Sequence, residues 1–271
     1  MFAAHSAGRH TQQNENGVAS VTQTEISAGL CSVTLRALSI DDVVRTAAAA
    51  GLAGIEWGSD VHVHDAVSAA HARTATEAAG LRILSLGSYY RAGSFGAFED
   101  VLALATELGA PRVRIWAGDV DSAEATGAHW DAVVEDAQRI AELAADRGIC
   151  LAFEYHGGTL TDTPETTLEL LRQVDRRAVG TYWQPAVGLR DEQTLDSLRH
   201  VLEHVVGVHC FSGWPNAERL PSTARKQLWQ GVSDVLFADG SDTDVMLEFV
   251  VGDLPENVIA DATSLRSVLK R

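Results

Sequence analysis

Glu154, Gln184, His209 and Glu248 each stand at or near the C-terminal end of a short apolar run, in CLAFEYH (150–156), VGTYWQP (179–185), VVGVHCF (205–211) and DVMLEFV (244–250). Carboxylate, amide carbonyl and imidazole are donors from which proteins build divalent-metal sites. Four donors on four successive runs can meet only if the runs are parallel strands whose C-terminal ends share one rim, which is where barrel enzymes keep their chemistry. The set therefore reads as a site for one divalent ion, Mn²⁺, Mg²⁺, Zn²⁺ or Co²⁺. His156 lies two residues beyond Glu154, on the same side of an extended strand, and so enters the same mouth as a candidate general acid or base.

Elements that could hold these residues recur from residue 26 onward. Short β-prone runs at 26–33, 54–57, 83–87 and 112–116 precede the four named above, and helical spacing fills 40–50, 65–79, 98–108, 130–147, 164–174, 191–203, 223–238 and 255–269. Ser39 with Asp42 three residues on, Thr163-Pro164-Glu165 and Leu254-Pro255-Glu256 are helix starts. Gly51, Gly80, Gly109 and Gly148 sit where helices stop in the left-handed conformation. Eight strand–helix units predict an α/β fold, a single (β/α)₈ TIM barrel over residues 25–271. The first 24 residues are polar and without period, and are expected to form a flexible tail.

A chain of 271 residues with 46% hydrophobic content can bury one barrel core. Its net charge of −16 argues against nucleic acid, whose phosphates require clustered cations. Cys31, Cys150 and Cys210 are odd in number and set in apolar runs, as in a reduced cytoplasmic protein. Nothing in the sequence looks like a signal peptide or a membrane span, so a cytoplasmic location is expected.

Gly54-Ile55-Glu56-Trp57, Glu154-Tyr155-His156-Gly157-Gly158, Trp183-Gln184-Pro185, His209 and Leu247-Glu248 together resemble the xylose isomerase-like TIM-barrel superfamily of sugar-phosphate isomerases and epimerases, over about residues 26–270. The resemblance implies metal ligands Glu, Asp, His and Glu on the fifth to eighth strands. Glu154, His209 and Glu248 match, and Gln184 stands where Asp is expected. A neutral amide in place of a carboxylate implies a more weakly held ion. The resemblance also assigns Glu154 and Glu248 as proton carriers, beside His156 from its position. Xylose isomerase itself moves a hydride with the help of a lysine, and here only Lys226 and Lys270 occur, both on predicted outer helices. Repair nucleases of this fold place His three residues after the sixth-strand Asp, and here that spacing falls on Val187.

Trp57, His62, His64, Tyr89, Trp116, Trp183, Trp214 and Arg219 are the candidate substrate contacts, since aromatic faces stack on sugar C–H faces and histidines bind hydroxyls. His62 and His64 are expected to face one side. Arg91, Arg190 and Arg219 are the only cations expected near the mouth, which favours a neutral carbohydrate-like substrate. The reading is a metal-dependent isomerase or epimerase working by proton transfer on a keto-sugar or polyol-like hydroxy-ketone, with a lyase or dehydratase as runner-up. A non-catalytic binding or partner subunit is the reading from another class, and a homo-oligomer is left open.

Overall fold

The computed structural model describes residues 26–213 and 218–269; the expected tail at 1–24 lies outside them. Eight strands, β1 (Ser27–Cys31), β2 (Gly54–Gly58), β3 (Arg82–Arg91), β4 (Arg112–Trp116), β5 (Cys150–Glu154), β6 (Val179–Trp183), β7 (Val205–Cys210) and β8 (Asp244–Leu247), pair in chain order into a closed parallel barrel. Helices α1 (Ile40–Ala49), α2 (Ala66–Ala78), α3 (Phe98–Leu108), α4 (Gly127–Ala145), α5 (Pro164–Val174), α6 (Asp191–Val201), α7 (Lys226–Asp239) and α8 (Pro255–Leu269) follow the strands in turn. This is a single (β/α)₈ TIM barrel.

Local chemistry agrees with the predicted boundaries. Ser39 accepts the amide of Asp42 at the start of α1, and Thr163 accepts that of Thr166 with Pro164 in the first turn of α5. Gly51, Gly80, Gly109 and Gly148 all have positive φ, as helix-stopping glycines require. The α4 start moves upstream of the expected residue 130, because Thr126 and His129 form a reciprocal capping box.

Strand parity divides the side chains. One face points outward to the helices and builds the large core; the other fills the barrel with Cys31, Leu84, Ala152, Tyr182 and Met246. Gly207 makes room for the Tyr182 ring, since a Cβ there would stand 2.6 Å from Cε1. Above the barrel, fully buried Asp136 on α4 accepts from Tyr90 Oη (2.8 Å) and from the amides of Gly93 and Phe95, tying the β3–α3 loop down beside the rim.

The N-terminal end is closed by charge. Asp244 accepts from Ser27 Oγ (2.6 Å), Arg82 Nη2 (2.7 Å) and Arg112 Nη2 (2.6 Å). Burial pushes the Asp244 carboxyl up, but the Ser27 hydrogen bond and the two arginines outweigh it and hold it below its ordinary value. A depressed folded pKa contributes stability that is complete above the unfolded value of about 4 and is lost as pH falls through the folded pKa. Acid titration of wild type and Asp244→Asn should therefore show the variant less stable at neutral pH and less sensitive to acidification below about pH 4. Parallel stability curves for the two proteins would contradict this role for Asp244.

Candidate active site

Period-two alternation carries Glu56 (β2), Arg114 (β4), Glu154 (β5), Gln184 (just after β6), His209 (β7) and Glu248 (just after β8) into the C-terminal mouth of the barrel, where all six are buried. The four expected metal donors come together. His209 Nδ1 lies 3.2 Å from Gln184 Oε1 and 3.6 Å from Glu248 Oε2, and Gln184 Nε2 donates to Glu154 Oε1 at 3.3 Å.

His209 is the electrostatic centre of this group. Its Nε2 stands 3.3 Å from Glu56 Oε1 yet has no hydrogen-bond partner among the described residues. A neutral imidazole carries one N–H and one lone pair. With the proton on Nδ1, the lone pair of Nε2 faces the Glu56 carboxylate; with it on Nε2, the lone pair of Nδ1 faces the oxygens of Gln184 and Glu248. Either tautomer sets acceptor against acceptor in a buried space, and a cation between them, or a second ring proton, relieves the conflict.

Arg114 supplies a second fixed charge. Its guanidinium donates to Glu154 Oε2 through Nη1 and lies 3.3 Å from Glu56 Oε1 through Nε, with both partners buried. The β2–β3 register slips between Ile55 and Glu56, so Ser85 comes opposite Glu56 and its hydroxyl donates to Oε2 at 2.6 Å. Burial alone would raise the Glu56 carboxyl, but the charges of His209 and Arg114 outweigh it and hold it well below the usual carboxylate range. Gly87 leaves the necessary space: a Cβ there would stand 2.8 Å from Arg114 Nη2 and 3.0 Å from Glu56 Oε1.

Glu154, Gln184 and Glu248 line a cavity of about 290 Å³ together with His156, Val187, Phe211, Gly213, Arg219 and Phe249. His156 is thus brought beside Glu154, with its Nδ1 on the carbonyl of Gly157 and its ring 4.6 Å from that of Trp116. Tyr89 stacks on the other side of Trp116, and Arg91 lies 4.4 Å from the Trp116 ring centroid. Arg219 pairs with Asp253 and lies over Phe249.

Other expected contacts go elsewhere. Trp57 and Trp183 are fully buried on the outer face of the barrel, their indole N–H groups donating to Thr76 on α2 and Ser197 on α6. Each directly adjoins an inward residue, Glu56 or Gln184, and alternation turns it outward. His62 is buried against Ser32 Oγ and the Leu38 carbonyl, whereas the His64 side chain is 65% exposed, so the two imidazoles do not share a side. Trp214 lies outside the described residues. Arg114 adds a cation that the expected set of Arg91, Arg190 and Arg219 left out; its signal was a charged residue in the middle of the run RVRIW, at even spacing from Arg112 and Trp116.

These residues fit a divalent ion. His209 Nδ1 faces the Gln184 amide oxygen and a Glu248 oxygen across 3.2 and 3.6 Å, and Glu154 joins this group through the Gln184 NH₂ at 3.3 Å, so the donor types suit a divalent ion. The fit requires the Gln184 amide to turn its oxygen away from His209 or share it, since its NH₂ now occupies Glu154. Gln184→Asp is expected to tighten Mn²⁺ binding by about tenfold or more, a small part of the Coulomb attraction of a carboxylate at contact distance. Calorimetry showing weaker binding by the folded variant would remove Gln184 from the ligand set.

A family model described as xylose isomerase-like TIM barrel matches residues 44–232. The chain is 27% identical over 159 residues to a 3-dehydroshikimate dehydratase of Bacillus anthracis, a match covering 54% of this chain and 57% of that relative, little more than half its length. Among solved structures, it is similar to the probable 3-DHS dehydratase of Bacillus anthracis (TM-score 0.73, 20% identity, 89% of this chain and 99% of that one). It is similar also to a 3-keto-D-glucoside 4-epimerase of E. coli (TM-score 0.70, 14% identity, 90% and 100%) and a D-psicose 3-epimerase of Clostridium cellulolyticum (TM-score 0.70, 14% identity, 91% and 100%). The structural likenesses agree with the barrel, and the family match extends over most of it: the chain belongs to the xylose isomerase-like TIM-barrel family.

Proposed function

We propose that this protein removes a proton from the carbon beside a ketone in a small hydroxy-keto acid and expels a neighbouring hydroxyl as water, a dehydratase of the kind that acts on 3-dehydroshikimate. The observation that carries the reading is the mouth cavity, where Glu154, Glu248 and His156 meet between the flat apolar walls of Phe211 and Phe249, with Arg219 at the edge. Apolar walls suit a ring better than an open-chain polyol, and an arginine whose partner Asp253 is 32% exposed can exchange that partner for a substrate carboxylate. The sequence relative supports the same order of preference, placing elimination ahead of the epimerisation that the residues alone favoured.

A divalent ion held by Glu154, Gln184, His209 and Glu248 supplies polarisation of the ketone and stabilisation of the enolate charge. A glutamate of this pair takes the proton, and Arg114 orients Glu154 for that task. His156, on the same cavity wall, gives a proton to the departing hydroxyl. Phe211 and Phe249 give the cavity apolar lining beside the glutamates. Loss of one water from 3-dehydroshikimate, followed by tautomerisation, leaves a dihydroxylated benzoate.

Epimerisation is the second reading, favoured by the placement of Glu154 and Glu248 on separate strands of one cavity, since one can take a proton from one face of a carbon while the other returns a proton to the opposite face. Incubation with Mn²⁺ and either 3-dehydroshikimate or a panel of ketoses separates the outcomes. Aromatic product from 3-dehydroshikimate is expected. Epimerised ketose without any aromatic product would select the second reading, and inertness toward both would refute the proposal.

A further inference from the structure

His209 has two faces, and the chemistry above uses only one. Nδ1 turns to Gln184 and Glu248; Nε2 turns to Glu56 on β2. Cys31 and Glu56 are register partners in the β1–β2 pair. The Cys31 sulfur, a Glu56 oxygen and a His209 nitrogen lie within 4.8 Å of one another, and the three residues are 1%, 3% and 0% exposed. No other described residue satisfies Nε2.

We propose that Cys31, Glu56 and His209 Nε2 form a second cation site inside the barrel, selective for a thiophilic divalent ion such as Zn²⁺ or Cd²⁺. Sulfur, imidazole and carboxylate make a zinc-type donor set, whereas the mouth site is rich in oxygen. Binding breaks the Cys31 S–H bond, forms a sulfur–metal bond and releases the proton to solvent. The ion must also take Glu56 Oε1 from Arg114, which keeps its pairing with Glu154, while Ser85 continues to hold Oε2.

The site has a regulatory consequence. A neutral imidazole has one lone pair, so His209 ligates through Nδ1 or Nε2 but not both. An ion on the inner face withdraws His209 from the mouth, so thiophilic metals act as antagonists of the mouth ion. This holds whatever reaction the mouth performs.

The test uses Cd²⁺, whose thiolate complexes absorb by charge transfer in the ultraviolet. Cys150 is exposed and Cys210 is buried elsewhere, so the Cys150→Ser/Cys210→Ser protein leaves Cys31 as its single thiol. Cadmium is expected to produce thiolate absorption in that protein, saturating near one equivalent, and to release Mn²⁺ preloaded at the mouth, read by its spin resonance. Cys31→Ser should weaken Zn²⁺ binding at this site by more than about 100-fold, beyond what loss of a mere supporting partner costs. Absence of thiolate absorption in the single-thiol protein, or Zn²⁺ affinity unchanged in a folded Cys31→Ser protein, would overturn the proposal.

Discussion

Glu154→Gln is expected to lower turnover by about 10³–10⁴-fold, the upper part of the range for loss of a positioned proton carrier. The variant loses more than a base. Among the described residues Glu154 bonds both Arg114 and Gln184, and the amide cannot accept from both with a full negative charge. Arg114 is left paired to Glu56 alone, and the donor set falls from two carboxylates to one. Metal affinity should therefore fall together with turnover, while the fold persists because the two side chains have nearly the same shape. Turnover within tenfold of wild type, measured at saturating Mn²⁺, would show that Glu154 does not carry the proton.

His156→Ala should separate the two functions that Glu154 combines. His156 shares the cavity with Glu154 and Gln184 but makes no hydrogen bond to any of the four donors among the described residues. Its removal is expected to leave Mn²⁺ content unchanged and to lower turnover by about 10²–10⁴-fold. The loss should be smaller for a substrate analogue whose leaving group departs without protonation. An equal loss for the substrate and the analogue would assign His156 to substrate positioning instead.

Most of the barrel was legible in the sequence because its signals are local. Caps such as Ser39 and Thr163, and glycine stops such as Gly109, depend on a few neighbouring residues, and the helices start and end close to them. Convergence of Glu154, Gln184, His209 and Glu248 was also readable, since each has the same place on its strand. The aromatic lining was harder. Trp57 and Trp183 lie at strand ends, as a mouth residue would, yet each follows or precedes an inward polar residue and so must turn outward to α2 or α6. The parity that corrects them also finds Arg114, whose guanidinium is held inside the barrel by glutamates 58 and 40 residues away in the chain. The His62–His64 separation was not legible, because it depends on Ser32 and Leu38, beyond the end of β1.

The central claim is that the mouth abstracts a proton from carbon, and solvent exchange tests it without reliance on product identity. Wild-type protein with Mn²⁺ and 3-dehydroshikimate in D₂O should place deuterium on the hydroxyl-bearing carbon beside the ketone in the remaining substrate, or slow measurably when that carbon carries deuterium from the start, and Glu154→Gln should neither exchange nor form product. Remaining substrate that stays unlabelled together with an unchanged rate for substrate deuterated at that carbon, or exchange that continues undiminished in Glu154→Gln, would contradict the account.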